Sequence, residues 1–429
     1  VQDTPNTTPA ETTLSALIKI SGRVTRPRNV AETVNTTDQE APQSDAAFEK
    51  SARWSVSGSH WPSRNYVHLL RFNSMPLQPH LKRIIEGHET LSRHDAAELL
   101  QIILRGEATD LEIAALLSSL ATRGESPAEI AGFVDTMRAA ATPIPLSEAE
   151  RSLLTDTCGT GADLSGTFNI STAAALVAAA AGATVAKHGN RRVTSQCGSA
   201  DVLEALGIPI ALSPAEGATG LRKHRFAFFH APSLHPAMKT VMPVRRALGI
   251  RTIFHLVGPL SNPAGASAQI VGVYAPHLVS KVAEAMTLLN TRHAFVVHGE
   301  TGSGGSGGGN EGSTSGHSGI DEFSISGPSH FAEIHNGIIT LGTLTPEDVG
   351  LQRAPIDTLQ GGDARTNAQI LTAIFAGEPG PRRDIVLLNA AAVLVTADLA
   401  PNLITGIALA AKTIDSGSVT KLVNQLSHT

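Results

Sequence analysis

Apolar positions recur along the chain with two different periods. Between residues 78 and 141 the period is helical. Ala96, Leu99, Leu100 and Ile103 fall at i, i+3, i+4 and i+7. Ile113, Leu116, Leu117 and Leu120 repeat that spacing, as do Ile130, Phe133, Val134 and Met137. Thr109-x-x-Glu112 and Ser126-x-x-Glu129 read as capping boxes, the second with Pro127 at the first helical position. Gly106 and Gly124 read as helix ends. A small helical domain over 76–150 is therefore predicted. From residue 151 short apolar runs alternate with helical patterns, and strands are expected over 152–157, 182–187, 208–212, 225–230, 269–274 and 293–298. This alternation predicts an α/β domain over 151–429 with a largely parallel central sheet. Residues 323–342 read as a strand-rich patch, and 368–375 and 384–397 as buried helices.

Three stretches depart from these periods. Residues 1–75 are rich in Thr, Ser, Asn and Pro and have few periodic apolar positions, so a disordered extension is expected. Arg23, Arg26 and Arg28 cluster as in a transit peptide, but Asp3, Glu11, Glu32, Asp38, Glu40, Asp45 and Glu49 argue against one. Residues 235–263 break the strand–helix alternation and read as a hinge. Residues 301–318, TGSGGSGGGNEGSTSGHS, read as a flexible Gly/Ser insertion.

Chemistry concentrates between residues 155 and 207. A strand end runs into the glycine turn Gly159-Thr160-Gly161-Ala162-Asp163. Thr167, Asn169, Ser171 and Thr172 follow, where a helix over 172–181 begins. A second strand end delivers Lys187-His188-Gly189-Asn190-Arg191. Glycine lets a phosphate approach backbone N–H groups, and a helix start favours an anion. Lys187 and Arg191 add charge-assisted contacts to phosphate oxygens. Asp163 and a hydroxyl such as that of Ser171 suit Mg²⁺, a hard cation that shares substrate oxygens. The inventory points to an anionic phosphorylated ligand with a divalent metal. In open α/β sheets ligands bind beyond the carboxyl ends of strands, where these residues fall.

Composition narrows the field. The 429 residues carry a net charge of −5, and a pI near 6.4 gives no basic field for nucleic acid. Two cysteines, Cys158 and Cys197, are too few for a disulfide framework, and a reducing, cytoplasmic setting is expected. No apolar run reads as a membrane span; the longest candidate, over 173–186, is broken by Gly182.

The motifs CGTGAD, FNIST, KHGNRRVTS, GSADVLEALG and HPAMKTVMPVRRALGIRTIFHLVGPLSNPAG, in this order, resemble anthranilate phosphoribosyltransferase. The resemblance covers about residues 78–425. That family shares a fold class with the pyrimidine nucleoside phosphorylases. The resemblance implies transfer of the phosphoribosyl group of 5-phosphoribosyl 1-diphosphate (PRPP) to the amine of anthranilate, a step of tryptophan biosynthesis. It implies Mg²⁺ and a homodimer formed through the helical domain. Gly159, Ala162, Asp163 and Thr167 are expected at the diphosphate and ribose, and Asn169, Ser171 and Thr172 at the phosphates. Lys187, His188, Gly189, Asn190, Arg191, Ser195 and Ser199 are expected to form the other wall. Asn190 and Arg245 are expected to position anthranilate, with His188 and His235 lining the aromatic site. Ser171, Asp321 and Glu322 are the expected metal residues. No acid–base catalyst is expected.

Three departures from the family pattern stand out. Ala162 occupies the place of a second glycine, His255 that of an asparagine in RTIFN, and the insertion interrupts the turn before Asp321. Two other readings compete: a pyrimidine nucleoside phosphorylase, and a catalytically silent relative that binds nucleic acid.

Overall fold

The computed structural model describes residues 75–161, 163, 165–192, 196–302 and 319–428. The expectations for the N-terminal extension through residue 74, for Ala162, for Ser195 and for the insertion over 303–318 lie outside the described residues.

Four helices come first: α1 (Gln78–Ile85), α2 (Arg93–Leu104), α3 (Asp110–Arg123) and α4 (Pro127–Ala139). Both expected capping boxes form, and each glutamate also holds a distant backbone. Glu112 accepts from Leu77 N at 3.0 Å as well as from Thr109 N. Glu129 accepts from Leu91 N at 2.8 Å as well as from Ser126 N. One carboxylate thus caps its own helix and fixes the chain entering another. Arg123 adds Nη2 contacts to both Glu129 oxygens at 2.5 and 2.6 Å.

The α/β part continues with α5 (Glu148–Arg151), β1 (Leu154–Gly159), α6 (Ile170–Ala180), β2 (Thr184–Gly189), α7 (Ser199–Ala205), α8 (Pro214–His224) and β3 (Phe226–His230). Residues 235–263, expected as a break, belong to a run of short helices: α9 (Ala231–Leu234), a 3₁₀ turn Pro236–Thr240, α10 (Met242–Leu248) and α11 (Ile253–Leu260). Next come β4 (Ala268–Gly272), α12 (Leu278–Leu288), β5 (His293–Glu300), the short β6 (Gly319–Ile320), and a hairpin of β7 (Ser329–His335) and β8 (Ile338–Leu344). Helices α13 (Ala364–Phe375), α14 (Pro381–Thr396), α15 (Leu403–Asp415) and α16 (Ser418–Leu426) close the described chain.

The sheet order is β3-β2-β1-β4-β5-β7-β8. Strands β1 to β5 run parallel, and β6, β7 and β8 join antiparallel. Strand alternation divides the faces. Phe295 and Val297 of β5 pack with α6 and α14, whereas Ala294 and Val296 join a second core shared by α1–α4, α11 and α12.

Two expectations need correction. Residues 208–212 form no strand; Ile208 and Ile210 are buried, but they lie in a connector to α8. Pro209 between them lacks a ladder donor. The ends of β1 and β2 also run two residues further than expected. Gly159 still pairs with Gly272, and His188 and Gly189 lie within β2 rather than beyond it.

The dual role of Glu129 gives a direct test. Glu129→Ala strands the Leu91 amide and the Arg123 guanidinium together, at a cost of about 3 kcal/mol. Urea unfolding of the variant is expected to show that loss, with the α/β sheet still formed by circular dichroism before the transition.

Candidate functional site

The basin at the carboxyl ends of β1, β2, β4 and β5 is built by close backbone approach. A Cβ on Gly159 would collide with the Asp321 carboxylate, and one on Gly272 with the Asp321 carbonyl. Only glycine at these paired positions lets the acidic loop after β6 lie across the strand ends. Gly161, in the left-handed region at φ 64°, turns its N–H onto Asp321 Oδ2 at 2.7 Å. Asp163 Oδ2 accepts from Ser165 Oγ at 2.8 Å and from Asp321 N at 3.4 Å. Glu322 Oε1 accepts from Ser171 N at 3.0 Å, at the start of α6.

Three carboxylates therefore share one site. Burial raises the Asp321 carboxyl well above its usual range, and the nearby Asp163 and Glu322 raise it further. Burial pushes Glu322 up to about 8, with Lys187 acting in the opposite sense. A void of about 10 Å³ lies between Gly159, Ser171, Asp321 and Glu322, room for about one water-sized occupant. Hard oxygen donors, converging negative charge and a small void fit a divalent cation such as Mg²⁺.

Lys187 is buried beneath this basin, 1% exposed. Its Nζ donates to Thr157 O at 2.6 Å, Thr157 Oγ1 at 3.1 Å and Ser171 Oγ at 3.3 Å. The next residue faces the other side of the sheet. His188 packs edge-on to His235, with ring centroids 5.3 Å apart, and burial pushes its pKa down to about 3. Its backbone N–H donates to the buried Asp156 at 3.0 Å, a carboxyl raised by burial to about 6. Burial also pushes the Cys158 thiol up to about 12 and Cys197 up to about 11, which leaves neither as a thiolate nucleophile.

The other expected residues divide into groups. Thr167 bridges to Gln360, and Thr172 is buried. Asn169 heads α6 without capping it, because its amide donates to Cys197 O at 3.1 Å and accepts from Asn367 at 2.9 Å. Asn190 is exposed, and its Oδ1 accepts from Arg191 N at 2.7 Å. Arg191 pairs with Asp201 and Glu204, and Ser199 Oγ donates to Asn190 O at 3.3 Å. A Cβ on Gly189 would collide with Ser199 Oγ and press on the Phe228 ring. Arg245 stands on α10 with its guanidinium 5.2 Å from the Phe254 ring. His255 takes the Thr252 N–H on Nδ1 at 3.1 Å, so it caps α11 through a ring nitrogen; the Arg245 charge adds to burial in lowering its pKa.

Several supporting residues escape a reading by motif. Asn389 of α14 accepts from Phe323 N at 3.0 Å and donates to Phe323 O at 2.9 Å, which pins the residue after Glu322. Asn367 accepts from Gly362 N at 2.7 Å while it holds Asn169. The signal for Asn389 was a lone amide in the apolar run LLNAAAVL, and for Asn367 the Gly361-Gly362 pair before a helix. Asp156 gave no signal beyond an acid inside an expected strand.

Comparison with known proteins agrees with this geometry. The helical bundle domain of the glycosyl transferase family matches residues 78–141, and the family's a/b domain matches 151–306 and 311–420. Anthranilate phosphoribosyltransferase from Solibacter usitatus is 45% identical over 353 residues, 82% of this chain and 98% of that protein. The Chloroflexus aurantiacus enzyme of that name is 47% identical over 344 residues, 80% of this chain and 95% of its own length. The crystal structure of anthranilate phosphoribosyltransferase from Thermus thermophilus superposes with a TM-score of 0.71 at 39% identity, covering 81% of this chain and 98% of that one. The Saccharomyces cerevisiae enzyme in complex with PRPP and Mg shares the fold, with a TM-score of 0.70 at 24% identity over 83% of this chain and 98% of that one. The chain belongs to the anthranilate phosphoribosyltransferase family.

Proposed function

We propose that this chain transfers the 5-phosphoribosyl group of PRPP to the amine of anthranilate, giving N-(5-phosphoribosyl)anthranilate and diphosphate. The observation that carries the reading is the shared basin of Asp163, Asp321 and Glu322 against the glycine strand ends, beside the start of α6. That combination receives a phosphorylated ligand with its cation rather than a bare anion.

Asp163, Asp321, Glu322 and the Ser171 hydroxyl are the residues that would hold Mg²⁺. The cation, when bound, neutralises charge on the departing diphosphate. The chain's own part is binding and orientation. Gly159, Thr167, Asn169 and Thr172 form the diphosphate and ribose wall; Gly189, Arg191 and Ser199 form the opposite one. Lys187 carries its charge under Ser171 and Glu322, so it sets the electrostatic floor of the site. Asn190 and Arg245 hold anthranilate, the guanidinium giving two N–H groups to its carboxylate. His188 and His235 supply a neutral aromatic lining. Positive charge develops at the ribose C1 as diphosphate leaves, and alignment of the neutral aryl amine supplies much of the rate. No side chain needs to remove a proton before attack.

The helical domain is the proposed homodimer contact, and a cytoplasmic setting is the proposed location. Among the described residues no helix is long and apolar enough to cross a membrane.

Anthranilate fluorescence reports the reaction directly. Consumption is expected to require both PRPP and Mg²⁺, and to stop when the cation is chelated. If a soluble folded chain consumes no anthranilate, the transferase reading fails, and phosphorolysis of thymidine or uridine becomes the next assay. Arg245→Ala is expected to raise the anthranilate KM about 10–100-fold, the worth of one charge-assisted contact of about 1.5–3 kcal/mol, with the PRPP KM little changed. Gly272→Ala is expected to displace the Asp321 backbone and lower kcat/KM for PRPP about a hundredfold or more, while thermal melting still shows a cooperative fold. Unaltered PRPP kinetics in that variant would remove the acidic loop from the site.

A further inference from the structure

The far end of β5 carries a second cluster of metal-ligating side chains. His293 of β5 stands directly across from His335 of β7. Their rings stack with centroids 4.3 Å apart and planes 12° from parallel. Asp398, just after α14, completes the group. Nδ1 of His293 lies 3.7 Å from Asp398 Oδ1, and one donor atom from each of the three residues lies within 4.8 Å of the others. Two ligands on a tetrahedral ion, each at about 2.1 Å, stand roughly 3.4 Å apart; the exposed His335 ring has to turn out of the stack to bring its lone pair to that ion.

The surroundings of His293 point the same way. Its Nε2 lies 2.9 Å from Glu333 Oε1. With the Nε2–H given to Glu333, the lone pair is on Nδ1. That nitrogen is buried and makes no hydrogen bond, in a residue only 3% exposed. A buried polar atom without a partner calls for an explanation. A carboxylate behind the opposite ring nitrogen is the usual support of a metal-bound imidazole. His335 and Asp398 face solvent, which leaves an entry path and a place for water. Arg292 pairs with Asp398 Oδ2 and donates to Thr396 O at 2.9 Å. It orients that carboxylate, and its single positive charge is set against the two carboxylates Glu333 and Asp398.

We propose that His293, His335 and Asp398 bind one divalent zinc ion, with Glu333 as the positioning partner of His293. Two imidazoles and one carboxylate suit zinc better than the hard cation of the acidic basin. The ion ties β5, β7 and the turn after α14 together at the end of the sheet opposite the acidic basin. It adds stability without entering the transfer reaction, and it does not depend on that reading of the basin.

The test is a calorimetric Zn²⁺ titration of the full chain in excess Mg²⁺, with Co²⁺ absorption as a second probe of the ligand field. The parent chain is expected to bind one equivalent with a rise in its thermal midpoint. His335→Ala and Asp398→Asn, both at exposed positions, are each expected to weaken binding tenfold or more and to leave anthranilate turnover unchanged. Glu333→Gln keeps the side-chain volume and is expected to weaken binding about 10–100-fold. No Zn²⁺ bound by the parent, or equal affinity in parent and variants, overturns the proposal.

Discussion

Crowding of negative charge at the strand ends is the constraint that the site answers to. Asp321 and Glu322 are held where burial and mutual repulsion both oppose their ionisation. Such an arrangement persists only if the backbone forces it. Gly159 and Gly272 leave the space, the Gly161 amide takes one carboxylate, and the Ser171 amide takes the other. Because Ser171 N sits at the first turn of α6, the positive end of the helix also faces Glu322. The same amides and dipole that steady the acids are aimed at the place where a phosphate ligand and its cation would meet.

Support for this loop comes from the side of the sheet that a motif does not reveal. Asn389 lies on α14, within the apolar layer that packs on α6, and its amide replaces one backbone ladder by holding both polar groups of Phe323. A buried amide that is fully satisfied adds direction as well as energy. Lys187 works from below in a similar way. Buried ammonium groups are costly unless paired, and this one donates to Thr157 twice and to Ser171. Asn389 thus fixes the loop that carries the acids, and Lys187 ties together the end of β1 and the start of α6 that face it.

What was legible in the sequence follows from which interactions are local. The helical domain could be read because its stripes and capping boxes lie within single turns, and Thr109–Glu112 and Ser126–Glu129 form as the spacing requires. The second function of those glutamates, on Leu77 and Leu91, spans 35 and 38 residues and leaves no local mark. Strand ends were misplaced by two residues because glycine reads as a turn. Gly159 and Gly189 are instead the last ladder residues, chosen for close approach. Residues 208–212 looked like a strand because an apolar run satisfies a buried connector as well as a ladder. Asp163, Asp321 and Glu322 were named through the resemblance and their chemistry, and Asn389 as an amide in an apolar run; Asn367 and Asp156 were not, since a buried amide or acid is defined by partners that only the fold assembles.

The basin's neighbours also limit how the chemistry can proceed. His188 is held neutral at any ordinary pH, with burial pushing it down to about 3. The thiol of Cys158 keeps its proton, pushed up to about 12. Arg245 offers only donors. Neither His188 nor Cys158 is therefore poised to exchange a proton near neutral pH. A nucleophile that needed deprotonation would be poorly served there, whereas a neutral aryl amine with an available lone pair needs only alignment. An acidic, cation-receptive end at β1 and β4 is thus set apart from the cationic Arg245 on α10.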